Sequence, residues 1–198
     1  ELNTLALHQP KIVYDALFKS AWETVEAFTG KDNKADMISI LHTWGQNLSL
    51  HPHIHCIIPG GFVDRNGMWK LSKAEGKFLF PVKAMSKVYR AKYVSFLRSS
   101  DIELEQSTYD TLFKKEWVVY AKRPFGSPKS VVEYLGRYTH KIAISNHRIL
   151  AIDDQTVTIS YKDYRVDGQK KIMTLSHEEF VRRFASHILH KRFVRISH

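Results

Sequence analysis

The sequence predicts an α+β fold with a central antiparallel sheet flanked by helices. Three observations predict it. Apolar residues recur at three- and four-residue spacing over Pro10 to Phe28 and Val82 to Leu97, the period of an amphipathic helix. Short apolar or alternating runs, such as His53 to Ile58 and Thr156 to Tyr161, lie between turn residues and have the length of strands. The two kinds of segment are interspersed without strict strand–helix–strand alternation, which argues against a parallel sheet.

In chain order, Ile12, Val13, Ala16, Leu17, Ala21, Trp22, Val25 and Phe28 form the stripe of a first helix that ends at Gly30 to Lys34. Met37 to Trp44 reads as a strand, Gly45-Gln46-Asn47 as a polar link, and His53 to Ile58 as the partner strand closed by Pro59-Gly60-Gly61. Asp64-Arg65-Asn66-Gly67 turns between two further extended pieces. Val82 to Leu97 is a second helix whose outer face carries Lys83, Lys87, Arg90 and Arg98. Ser99 to Leu112 reads as an ordered loop or short helix, and Trp117 to Lys122 as a strand. Ser127-Pro128 starts the next helix with proline at its first position, and Ser130 with Glu133 offers a second capping option. Ile142 to Ser145, Arg148 to Ile152, Thr156 to Tyr161 and Lys170 to Leu175 read as strands, with Asp153-Asp154-Gln155 turning between two of them. Ser176 and Glu179 have the spacing of a capping box for a last helix to about Leu189.

The chain of 198 residues suits one well-cored domain, and its 43% hydrophobic and 25% charged content is that of an ordinary globular protein. Thirty Lys plus Arg against twenty Asp plus Glu leave a formal charge of +10, which favours a polyanionic partner. The single cysteine, Cys56, excludes a disulfide framework or a CxxC zinc ribbon within these residues and fits a reducing, cytoplasmic setting. No apolar run approaches the ~18 residues of a membrane span, and the first residues, ELNTLALHQPK, lack the pattern of a signal peptide.

Two short motifs carry chemistry. In His53-Ile54-His55-Cys56-Ile57-Ile58, the strand period of two puts His53 and His55 on one face and Ile54, Cys56 and Ile58 on the other. Paired imidazoles on a strand anchored by its apolar side make half of a metal site, and a third ligand would complete it while leaving positions open for substrate. His42 on the preceding strand ranks first for that place, with Gln46 and His51 as alternatives. By itself HxH also occurs in hydrolases of small molecules, although that reading leaves the +10 charge unexplained.

Tyr134 and Tyr138, four apart in EYLGRY, project from one face of a helix. Phenols with an ordinary pKa of about 10 need a metal-polarised substrate, a base or a cation to act as nucleophiles. Arg137, His140 and Lys141 are candidate cations, and Gly136, which weakens a helix by about 1 kcal/mol relative to alanine, would let another backbone come close. Two aromatics at helical spacing are also a common core stripe. Lys122, Arg123, Arg148, Lys162 and Arg165, together with Arg137, His140 and Lys141, are candidate phosphate contacts, with Trp69, Tyr161 and Tyr164 as stacking surfaces.

Taken together, HTWGQNLSLHPHIHCIIPGG (His42 to Gly61), KKEWVVYAKRPFG (Lys114 to Gly126) and YLGRYTHKIAISNHRIL (Tyr134 to Leu150) resemble the rolling-circle insertion-sequence transposases. These are bacterial two-tyrosine members of the HUH endonuclease superfamily, related to Helitron transposases, replication initiators and relaxases. The likeness continues through KDYR (Lys162 to Arg165), MTL (Met173 to Leu175) and FVRRF (Phe180 to Phe184). The resemblance implies His53 and His55 as metal ligands, Tyr134 and Tyr138 as nucleophiles, and Mg or Mn as cofactor. It implies nicking and rejoining of single-stranded DNA at transposon ends and targets through a 5′-phosphotyrosine, in the bacterial cytoplasm at the nucleoid. Residues 1–198 would then be one catalytic domain of a longer chain with a zinc-binding region before it and further sequence after it. A replication initiator or relaxase of the same chemistry, and a non-catalytic single-strand DNA-binding module, are the alternatives.

Overall fold

The computed structural model describes residues 2–72, 79–139, 143–189, 191 and 193–197, with the side chains of 137–139 excepted. The fold is α+β, and every ladder among the described residues is antiparallel. Helix α1 (Leu2–His8) leads into α2 (Pro10–Thr29), where Pro10 occupies a helix start that has no intrahelical use for its missing N–H. Strands β1 (Ile38–Trp44) and β2 (Leu50–Ile57) follow, then the hairpin of β3 (Gly61–Val63) and β4 (Trp69–Leu71). Next come α3 (Val82–Arg98), α4 (Gln106–Lys114) and α5 (Pro128–Thr139). The rest comprises β5 (Ile149–Ile152), β6 (Thr156–Asp163), β7 (Gln169–Ser176), α6 (His177–Ala185) and β8 (Ile196–Ser197). Among the described residues the strands form three sheets, in the orders β2-β1-β8, β3-β4 and β5-β6-β7.

One face of β1–β2 is covered by helices. Leu41 is fully buried among Val13, Tyr14 and Leu17 of α2, Tyr93, Val94 and Leu97 of α3, and Tyr109 and Leu112 of α4. Ile54, Cys56 and Ile58 extend this contact toward Ala21, Val25 and Met37. Each large aliphatic side chain so buried contributes about 1.5–3 kcal/mol. The polar residues that α2 carries inward are satisfied locally: the hydroxyls of Ser20, Thr24 and Thr29 donate to the carbonyls four residues back. Pro52, which cannot donate to a ladder, is accommodated because β2 is the edge strand.

A second core forms where β5–β7 and α6 meet around Val157, Ile159 and Leu175, with Ala143 and Ile144. Leu48, from the link between β1 and β2, is inserted into it, fully buried and in the left-handed region at φ 61°. Three successive carbonyls of the link are held from this side. Arg148 donates to Gln46 O, Arg183 to Asn47 O at 3.1 Å, and His187 Nε2 to Leu48 O at 3.1 Å. His187 Nδ1, 3.2 Å from the Thr43 hydroxyl, then accepts its proton. The link is thus a docking element between the two cores.

Several expectations need correction. Trp117 to Lys122 keeps the burial alternation of a strand but pairs with nothing among the described residues. Its carbonyl and ring are taken up elsewhere: Ser86 donates to Trp117 O, and the indole lies against Tyr89 and Tyr93 while donating to Leu112 O. Of the strand expected at Ile142 to Ser145, residue 142 lies outside the described residues, and Ala143 and Ile144 are buried in a bend. Arg148 sits in a short 3-10 turn before β5. Arg90 is turned inward to the carbonyls of Phe113 and Lys115. Of the expected capping box at α6 only the serine half forms: Ser176 Oγ accepts from Glu179 N–H, while the Glu179 carboxylate accepts from Arg182 and Arg183, and the helix ends at Ala185, after which the chain turns His187 into the core. The expected loop or short helix before Leu112 is helical as α4, while α1 and β8 were not foreseen.

Burial lowers the His187 pKa below the usual imidazole value, more than its bond to Leu48 O raises it. The unfolded chain therefore takes up this proton first, at about pH 6.5, so the contribution of His187 is complete above that pH and declines as pH falls through the window below it. Urea midpoints should drop between pH 7 and 5.5, with a shallower slope in His187→Gln. His187→Ala should cost about 1–3 kcal/mol at pH 7.5 by leaving Leu48 O buried without its donor.

Candidate metal centre and tyrosine helix

The antiparallel register sets His42 directly across from His53 and Ile40 across from His55. Residues opposite one another share a face, so all three imidazoles emerge on the side away from α2 and α3. Their rings are 5.5 Å (His42–His53), 4.5 Å (His42–His55) and 5.0 Å (His53–His55) apart between centroids. One ligand nitrogen from each lies within 4.8 Å of the others, so the cluster has the donors and convergence to hold a metal ion. His42 is almost completely buried at 3% exposure, and the other two are half-buried.

The protonation pattern suits a cation. His53 Nδ1 lies 2.7 Å from His51 O, and a carbonyl can only accept, so the ring proton sits on Nδ1 and Nε2 keeps its lone pair. Burial lowers the His53 pKa, the bond to His51 O raises it and the neighbouring His51 lowers it again, leaving it below the ordinary value. The ring is neutral at pH 7, as a ligand must be. Cys56 faces the opposite way, beside Ser39, and burial pushes its thiol up to about 11, which leaves it inert.

Of the two alternatives to His42, His51 is exposed, with its ring 5.3 Å from His53. Gln46 has its backbone carbonyl held by Arg148, which fixes the link at that residue. The grouping follows from strand pairing: His42 and His53 are cross-strand partners, whereas Gln46 lies in the docked link and His51, in β2, has no pairing partner on β1.

Helix α5 begins as its sequence predicts, with Ser127 Oγ accepting from Ser130 N–H at 3.3 Å. Tyr134 is half-buried, its ring 5.2 Å from Phe125 and its hydroxyl 3.2 Å from His55 Nδ1. The tyrosine helix and the histidine strand thus meet at this hydrogen bond. Among the described residues a Cβ at Gly136 would meet nothing within 4 Å, and at two residues from each tyrosine it lies on another side of the helix. Tyr138 and Arg137 belong to α5 by their backbone, with side chains outside what is described, and His140 and Lys141 lie outside the described residues.

The remaining candidate cations scatter. Lys122 and Arg123 are exposed in the segment before α5. Lys162 is exposed on β6 opposite Lys170, a like-charged pair. Arg165 is exposed but paired with Asp163, which Lys171 also contacts; these hydrogen bonds hold the carboxyl well below its usual range. Arg148 is half-buried and donates to two carbonyls, Gln46 O and Ser160 O. Sequence reasoning missed Trp44, whose ring is stacked on His42, and Arg195, which lies over Trp44. The i, i+2 spacing of His42 and Trp44 was the available signal for the first; nothing local marks the second.

Comparison with known proteins gives a consistent result. The profile of the family described as "Putative transposase" (Y2_Tnp) matches residues 36–198. The chain is 37% identical to "Putative transposase y4qJ" of Sinorhizobium fredii, over 98% of this chain and 54% of that protein. It is 25% identical to "Transposase for insertion sequence element IS801" of Pseudomonas savastanoi pv. phaseolicola, over 90% of this chain and 46% of that protein. The chain thus spans about half the length of these curated relatives. No solved structure matches it. No helix among the described residues is long and apolar enough to cross a membrane.

Calorimetric titration with Mn²⁺ tests the cluster directly. His42→Ala should weaken binding at least about tenfold, the lower end of what even outer-shell losses cost, while His51→Ala leaves it unchanged. The reverse pattern would make His51 the third ligand.

Proposed function

The chain belongs to the putative transposase family, and from that premise we propose that it is a catalytic core that nicks and rejoins single-stranded DNA at transposon ends. The observation that carries the reading is the Tyr134 hydroxyl 3.2 Å from His55, itself one of three imidazoles grouped to hold a cation. A nucleophile beside a candidate metal centre is the pairing that metal-assisted phosphoryl transfer needs.

His42, His53 and His55 would hold the ion, and nitrogen donors suit Mn²⁺ better than Mg²⁺, which prefers oxygen. When bound, the ion supplies charge to polarise the scissile phosphate. Tyr134 or Tyr138 attacks phosphorus through its phenol oxygen. The bond to the 3′ oxygen breaks, the phenol gives up its proton, and the 3′ oxygen takes one up. The products are a 5′-phosphotyrosine and a free 3′-OH, and attack by a 3′-OH reverses the exchange without ATP. His55 keeps Tyr134 in place beside the cluster, and the second tyrosine offers a place for another strand end.

The +10 charge supports a DNA backbone as the substrate, with Lys122, Arg123, Lys162 and Arg165 among exposed cations available for phosphates. Residues 1–198 act in this reading as one catalytic domain. A cytoplasmic, nucleoid-associated setting goes with such a substrate.

The test is denaturing-gel detection of a covalent adduct between the protein and labelled terminal single-stranded DNA in the presence of Mn²⁺. Wild type should form it, and the double variant Tyr134→Phe/Tyr138→Phe should not. Absence of any adduct from wild type, with DNA binding intact, would establish a binding module instead. In the same assay His53→Ala and His55→Ala should abolish metal-dependent cleavage yet leave DNA affinity largely unchanged; cleavage surviving in either would remove that histidine from the metal site.

A further inference from the structure

Trp44 ends β1 beside the histidine cluster, and the chemistry above does not use it. Its ring lies parallel to His42, with centroids 4.7 Å apart and planes 16° from parallel. Regular strand geometry does not explain so flat a stack, because the twist of a strand splays side chains two residues apart. The pairing is irregular here: His42 pairs with His53, but Trp44 pairs with Leu50, so the register shifts between them. The extra residue lies on β2, where His51 and Pro52 together oppose Thr43, and bulges concentrate next to active sites.

Trp44 is itself held. The Arg195 guanidinium lies 5.0 Å from its ring centroid, and the His187 ring, turned edgewise, has its centroid 6.1 Å away. Arg195 is anchored to β1 at both backbone and side chain: Leu41 N–H donates to Arg195 O at 3.0 Å, and Arg195 Nε donates to Leu41 O at 3.2 Å. Cation, indole and imidazole therefore form one connected stack leading from β8 to the cluster.

We infer that Trp44 is a positioning residue that fixes the ring plane of His42 for metal binding, and that Arg195 positions Trp44 in turn. The inference rests on the metal-centre reading above. Histidine χ2 is a broad torsion with no sharp well, so a ligand ring needs a neighbour to set its plane. An imidazole that donates to a cation also becomes electron-poor, and the negative face of an indole favours such a ring. Tautomer and orientation of a ligand are ordinarily set by such outer neighbours, whose loss costs about 10–100-fold in metal affinity.

Mn²⁺ affinity, read by electron paramagnetic resonance without DNA and well below each variant's melting temperature, tests this. Trp44→Leu should bind about 10–100-fold more weakly than wild type, and Trp44→Phe, which keeps a flat face, should recover most of that loss. Arg195→Ala should weaken binding about threefold to tenfold, with Arg195→Lys between it and wild type. A purely structural role would lower the melting temperature while leaving the affinity of the folded protein intact. Wild-type affinity in folded Trp44→Leu would overturn the inference. Should Trp44→Leu fail to fold, Arg195→Ala decides, and wild-type affinity there overturns it as well. Absence of any Mn²⁺ binding by wild type would instead overturn the metal centre itself.

Discussion

In the β1–β2 pair His42 lies across from His53, and because strand side chains alternate between faces, this one register decides the side of the sheet on which every neighbour sits. A slip of one residue would drive His42 into the helix-packed core and turn Leu41 toward the cluster. The burial of Leu41, Ile54 and Cys56 against α2 and α3 makes such a slip expensive, since it exchanges several aliphatic contacts for buried imidazoles. The hydrophobic effect on one face thus specifies the chemistry on the other.

The same economy governs the basic residues. A formal charge of +10 looks like a surface prepared for phosphate, yet Arg90, Arg148, Arg183 and Arg195 each spend donors on backbone carbonyls. Guanidinium suits this work because its planar fork reaches two acceptors at once and stays charged even when partly buried. Burial lowers the pKa of Arg148 and of Arg195, the mark of cations drawn inward rather than left to solvent. Cations remaining outside, such as Lys162 opposite Lys170, are like-charged neighbours that a bound anion would relieve.

How much was legible in the sequence depends on how local the signal is. The long helices, the histidine strand and its inward and outward faces, the hairpin turn at Asp64 to Gly67 and the capping serines are set by period and turn chemistry within a few residues, and they appear where periodicity put them. His42 was readable as a partner because a hairpin brings its strand alongside. Trp117 to Lys122 misled because alternation records which side is buried and says nothing about whether a neighbouring strand exists. Arg195, His187 and the burial of Leu48 were invisible for the opposite reason: each depends on contacts with residues far along the chain. Transposase kinship was legible because several ordered motifs coincide, where either HxH or YxxxY alone is common.

The short strand β8 adds a constraint of a different kind. Arg195 and its partner Leu41 are 154 residues apart, and this closing contact lies beside His42, the first histidine of the cluster in the chain. Contacts of such long span pay their loop-closure entropy early and return it late. During synthesis, when N-terminal segments emerge and fold first, β1 and β2 can pair while the segment that completes the sheet has yet to be made. A nascent or truncated chain would carry the histidines in a sheet still missing its third strand. The sheet beside the histidine cluster thereby gains its third strand only once nearly all of these residues have been translated.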